Sequence, residues 1–197
     1  MEEKGFLINK IMSTFNKIRD IFYSGTHAFK GNMDSISEIA FLVEKNYLSI
    51  STIIISSKNE YKSLLNDPDK LTRFYEAAGG GNTHVALKIL ARNYLRSKRR
   101  HESVFGHPFC GYYPDLLSDD KTIVIECGHT DNAEKILVYF RQGNIKECIQ
   151  IPYPVDEDTA VKGYSFTAKN RLKEFLIFSE EEKRSKLRNI FDNKNRA

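Results

Sequence analysis

Apolar positions in the first eighty residues recur at helical spacing. Leu7, Ile11, Phe15, Ile18 and Phe22 fall three and four residues apart, a stripe that predicts an amphipathic helix ended at Gly25. A second helix is predicted over Ser35 to Tyr47, with Ile36, Ile39, Ala40 and Val43 facing inward. The run Ser49-Ile-Ser-Thr-Ile-Ile-Ile-Ser56 reads two ways: its β-branching suits a strand, its helical neighbours and short length a buried helix. Asp67-Pro68 is a helix start, with Asp67 as cap, Pro68 in the first helical position, and Leu71, Phe74, Tyr75 and Ala78 as the inner face. Gly79, Gly80 and Gly81 end that helix and form a joint. No strand precedes them and no Lys-Ser/Thr follows, so they lack the context of a phosphate-binding P-loop.

Past the joint the period changes. Thr83 to Leu95 predicts a helix, and Leu116-Leu117 and Thr122-Ile-Val-Ile125 are short apolar runs around a polar Ser118-Asp-Asp-Lys121 turn. Such a pattern predicts a hairpin. Antiparallel pairing about that turn would carry Asp115 and Glu126 to the same end of the sheet. A helix from Asp131 to Phe140 and a strand from Glu147 to Pro152 follow, then an acidic loop at Asp156-Glu-Asp158 and a short edge strand at Lys162 to Phe166. Two helices close the chain, the first with Leu172, Phe175 and Leu176 inward, before a frayed tail from 192 to 197. The predicted organisation is a mainly helical region over 1–78, a core over 79–155 and a C-terminal helical extension over 156–197.

Composition narrows the class. With 197 residues, 41% hydrophobic and 28% charged, the chain can bury a core and is not of disordered composition. No apolar stretch reaches the roughly 18 residues of a membrane helix, and the N-terminus has no signal-peptide pattern, so a cytoplasmic protein with no membrane partner is expected. Cys110, Cys127 and Cys148 are too widely spaced for a CxxC knuckle and lie in apolar segments, as buried reduced thiols do. His101, His107 and His129 invite a zinc reading with Cys110 and Cys127, yet only His107 and Cys110 have ligand-like spacing.

Two carboxylates at one strand end repel, and burying them is costly unless a positive group offsets them. A divalent cation does this with oxygen ligands, usually one or two carboxylates completed by water and substrate phosphate. The competing reading is structural: Asp115 opens a turn and Glu126 is a strand-end acid paired with a lysine.

Pro114-Asp115 and Ile125-Glu126-Cys127-Gly128, set in the order helix, meander, helix, strand over roughly residues 76 to 155, resemble the PD-(D/E)XK nuclease superfamily. The resemblance implies a restriction-endonuclease-like αβββαβ core within an α/β protein, a small mixed sheet, and helical N- and C-terminal extensions. It further implies Mg²⁺ or Mn²⁺ held by Asp115, Glu126 and the Cys127 carbonyl, and hydrolysis of phosphodiester bonds, with DNA the expected substrate and RNA the second choice. The lysine expected two residues after the glutamate is replaced by Gly128. Lys135, about one turn into the following helix, is the substitute the resemblance suggests, its alternative being an ordinary solvated lysine. His84, Glu76, Glu102 and His129 are further possible site residues, His84 also reading as a structural histidine near a helix start.

Net charge is +4, and it is unevenly spread. Lys88, Arg92, Arg96, Lys98, Arg99 and Arg100 lie between His84 and His101 with no acid among them. Such a run suits a phosphate backbone through counterion release; a helix C-terminus attracting cations is the plainer account. Lys183, Arg184, Lys186 and Arg188 follow the capping box Ser179-Glu-Glu-Glu182 and read as a surface helix. Two other functions stay open: a non-catalytic nucleic-acid-binding module with a degenerate nuclease fold, and a helical adaptor or homodimer using the N-terminal stripes.

Overall fold

The computed structural model describes residues 2–22, 33–78, 80–129, 133–143 and 145–170, together with 172, 182 and 185. Gly25, the basic group at 183–188 and the closing helix face at Phe175 and Leu176 lie outside them, as do the side chains of Leu7, Phe74, Tyr75 and Glu76. Helices α1 (Glu2–Phe22) and α2 (Met33–Glu44) precede strand β1 (Leu48–Ser57), and α3 (Lys58–Leu65), α4 (Pro68–Ala78) and α5 (Asn82–Tyr94) follow it. A π-helical turn, Leu95–Arg99, ends α5, with Arg100 in the left-handed conformation at φ 59°. Strands β2 (Ser103–Phe105), β3 (Leu116–Ser118) and β4 (Ile123–Cys127), helix α6 (Glu134–Gln142), and strands β5 (Glu147–Ile151) and β6 (Ala160–Ala168) complete the described elements.

The six strands form one mixed sheet in the order β1-β6-β5-β4-β3-β2. Strands β2, β3 and β4 make an antiparallel meander; α6 then crosses over and β5 pairs parallel to β4. Helices cover both faces. On one side Leu117, Val124, Cys148 and Phe166 pack on the stripe Ile11, Phe15, Ile18 and Phe22 of α1, on α2 and on α6. On the other Leu116, Ile123, Ile125, Ile149, Ile151 and Val161 pack beneath α3, α4 and α5. Adjacent residues of β3 and β4 thus serve opposite layers, as the two-residue strand period requires.

The ambiguous run 49–56 is strand. It forms β1, paired antiparallel with β6 along its length apart from a bulge between Ile54 and Ser56. Lys162 to Phe166, expected as an edge strand, lies inside β6 between β1 and β5, so the edge position is corrected: β1 takes the edge and β6 is interior. Residues 79–155 therefore share their sheet with strands from both flanking regions. Asp67 caps α4 as expected, its Oδ1 accepting from the Lys70 N–H at 3.1 Å.

Candidate functional site

Leu116 pairs with Ile125 and Leu117 with Val124, so the same antiparallel register places Asp115 beside Glu126 where β3 begins and β4 ends. The two acids are approached from opposite layers. Helix α5 reaches Asp115: His84 Nε2 lies 3.1 Å from Asp115 Oδ1 and Lys88 Nζ lies 2.8 Å from the same oxygen. Helix α6 reaches Glu126: the Tyr139 hydroxyl donates to Oε1 at 2.7 Å and Lys135 Nζ lies 3.5 Å from Oε2. In each helix the two residues are four apart, which aligns them on one face. The Cys127 main chain enters through its N–H, which donates to Asp115 Oδ2 at 2.7 Å.

These surroundings drive the carboxyls apart. Burial would raise Asp115, but hydrogen bonds from His84 and Lys88 and the Cys127 N–H hold it below its ordinary value. Burial raises Glu126, the charge on Asp115 adds to the shift, and Lys135 and Tyr139 offset it only in part. Tyr139, beside the Glu126 carboxylate, is fully buried and its hydroxyl is pushed far up, by burial first and then by that charge. It is a fixed donor. Enclosed carboxylates are the kind of oxygen ligand that hard divalent cations take, and here each of the two already meets a lysine and a further donor.

Gly128 has φ +78°, and a Cβ there would stand 2.7 Å from both Cζ and the hydroxyl oxygen of Tyr153. A side chain at 128 would be strained by the left-handed backbone and would require the Tyr153 ring to move aside. The Tyr153 hydroxyl also lies 3.4 Å from His84 Nδ1. His129 is exposed and meets the Tyr153 ring edge-on, with centroids 5.1 Å apart.

The basic run is dispersed. Lys88, expected on a phosphate-binding face, is corrected to an interior residue: it is 5% exposed and held on Asp115. Arg99 also turns inward, 2.6 Å from the buried Glu147. Arg92 stands over the Phe105 ring at 5.7 Å. Arg96 contacts both oxygens of Glu102 at 2.8 Å, and the Glu102 carbonyl accepts from Asp119 N–H in the hairpin turn. Glu102 therefore lies at the end of the hairpin away from Asp115 and is not a site acid. Lys98 and Arg100 remain exposed.

Among the described residues, one group of three potential ligands lies within mutual reach, His101 with Asp119 and Asp120, beside that same turn. The zinc combination of His101, His107 and His129 with Cys110 and Cys127 is not assembled: Cys127 lies in the layer under α5, Cys110 packs against the opposite one, and His101 turns to Asp119. Residues the sequence reading missed are Tyr139, Tyr153 and Gln150. The spacing of Lys135 and Tyr139 was a usable signal for the first, and a glutamine between Ile149 and Ile151 for the last. Nothing local marked Tyr153. No protein-family model matches the chain, and no curated protein or solved structure shows significant similarity to it.

Proposed function

We propose that the chain is a divalent-metal-dependent nuclease of the PD-(D/E)XK type, with a restriction-endonuclease-like core, that hydrolyses phosphodiester bonds of DNA. The observation that carries this reading is the placement of Asp115 and Glu126 side by side at one sheet end, each flanked by a lysine from a different helical layer. Asp115, Glu126 and the Cys127 carbonyl would hold the Mg²⁺ or Mn²⁺ ion, which supplies an acidified water and charge neutralisation at the phosphate. His84 lies on the same side of Asp115 as Lys88, with its other ring nitrogen oriented by Tyr153. Tyr139 fixes the Glu126 carboxylate. Lys135, a quarter exposed and close to Glu126, would steady negative charge on the reacting phosphate. Lys98 and Arg100 lie at the hairpin-turn end of the sheet, away from Asp115, and would meet the nucleic-acid backbone several nucleotides from the reacting phosphate.

A second reading has a specific observation in its favour. Lys88 and Lys135 already set an ammonium beside each carboxylate, a balance that a non-catalytic nucleic-acid-binding module could keep without metal. Cleavage of plasmid, single-stranded DNA and RNA in Mg²⁺, Mn²⁺ or EDTA separates the two. The nuclease cuts with metal and loses cutting in Asp115→Ala and Glu126→Ala with folding intact; binding in EDTA with cutting in no condition favours the module.

A further inference from the structure

Glu126 on β4 and Gln150 on β5 are partners in the parallel register. Their side chains therefore leave the same face of the sheet from neighbouring strands, about 5 Å apart. Gln150 is 1% exposed. Its Nε2 donates to the Gly128 carbonyl at 2.7 Å, and because a carbonyl only accepts, this contact settles which end of the amide is nitrogen. The remaining oxygen, Oε1, is buried and has no hydrogen-bond partner. A buried acceptor left without a donor is destabilising and calls for a reason. The bond to Gly128 also draws the amide toward the C-terminal end of β4, the end that carries Asp115 and Glu126.

We propose that Gln150 Oε1 is a further protein oxygen for the divalent cation, joining Asp115 and Glu126; the inference rests on the metal-dependent reading above. An amide oxygen is a hard ligand of the kind Mg²⁺ and Mn²⁺ take. As a neutral ligand it leaves unchanged the charge set by the two carboxylates and their neighbours Lys88 and Lys135. The other polar side chains beside Glu126, Lys135 and Tyr139, approach it as donors. Gln150 supplies the acceptor on the third strand.

The test is Mn²⁺ binding by calorimetry on the full chain without nucleic acid, paired with melting in EDTA, for the natural protein, Glu126→Gln, Gln150→Met and Gln150→Glu. Gln150→Met, close in shape, removes the orphaned oxygen but also the donor to the Gly128 carbonyl, so it should still melt cooperatively in EDTA, at a lower temperature, and bind Mn²⁺ about tenfold more weakly or worse. Gln150→Glu loses the same Nε2 bond but keeps an oxygen, and should bind Mn²⁺ at least as tightly as the natural protein. Equal weakening in both variants would assign the effect to the Gly128 contact and overturn the proposal. Undiminished Mn²⁺ binding by Gln150→Met, with Glu126→Gln abolishing it, would overturn the Gln150 role alone. Failure of the natural protein to bind Mn²⁺ would remove the metal reading and this inference together.

Discussion

The Lys88 ammonium lies 2.8 Å from Asp115 Oδ1, with 6% of the lysine side chain and 14% of the aspartate side chain exposed. A charge pair this enclosed holds together because neither partner has water to return to. Removing one partner strands the other. Lys88→Met should therefore cost about 3 kcal/mol in urea unfolding, toward the low end for a buried pair because His84 and the Cys127 N–H still serve Asp115. Adding Asp115→Leu to it should recover much of that loss. A cost within ~0.5 kcal/mol for the single variant would show that Asp115 does not depend on Lys88.

The two carboxyls should respond to pH in opposite directions. Asp115 is held below its ordinary 3.8, so it stabilises the fold above that pH and the contribution is lost as pH falls through the lowered value. Glu126 is raised above 4.5, so its contribution is present below 4.5 and is lost as pH rises through the raised value. In EDTA at pH 7, Asp115→Asn should unfold more easily than the natural protein and Glu126→Gln less easily. Both differences should shrink on acidification, that of Glu126→Gln toward pH 4.5 and that of Asp115→Asn only below 3.8. Denaturant curves at pH 7 and pH 4 check this, and two variants shifted the same way at pH 7 would contradict it.

On the nuclease reading, a lysine two residues after Glu126 should not create activity. Gly128→Lys puts a side chain on a backbone with φ +78° and against Tyr153, a combination expected to cost at least about 1–3 kcal/mol. The variant should melt earlier and gain no nuclease activity. If it cuts faster than the natural protein, Tyr153 does not block the position.

On the nuclease reading, contact through the basic run should depend on its exposed members, Arg96, Lys98 and Arg100, with Arg96 already paired to Glu102. Replacing Lys98 and Arg100 with alanine should weaken DNA binding and lower the log–log salt slope by about 2, at roughly 0.9 per phosphate lost. Arg99→Ala should behave differently, lowering stability because it leaves Glu147, 8% exposed, without its guanidinium partner. Salt titrations of binding and melting curves on the same variants separate the roles; an unchanged salt slope in the double variant would move the nucleic-acid face elsewhere.

Much of this architecture is written in local pattern. The stripe Ile11, Phe15, Ile18 and Phe22, the Asp67-Pro68 start and the two apolar runs around Ser118–Lys121 each state their element, because helix and strand periods and turn chemistry act over a few residues. The hairpin alone brings Asp115 and Glu126 together, so that half of the site was legible. The run at 49–56 was not, since β-branching suits both a strand and a short buried helix; pairing with β6, more than a hundred residues on, decided it.

The sequence by itself determined the apolar stripe of α1, the capped start of α4 and the hairpin of β3 and β4, and through that hairpin the meeting of two carboxylates at one strand end, because these follow from side chains close together along the chain. Tertiary structure alone decided what surrounds those carboxylates. Lys88 left the basic face for Asp115, Arg99 turned to Glu147, Tyr153 filled the place of a lysine at 128, and Gln150 came beside Glu126. The reason is physical: a charge or amide in a helix or strand has no fixed partner until packing removes the water around it, and only the assembled layers determine which groups are buried together.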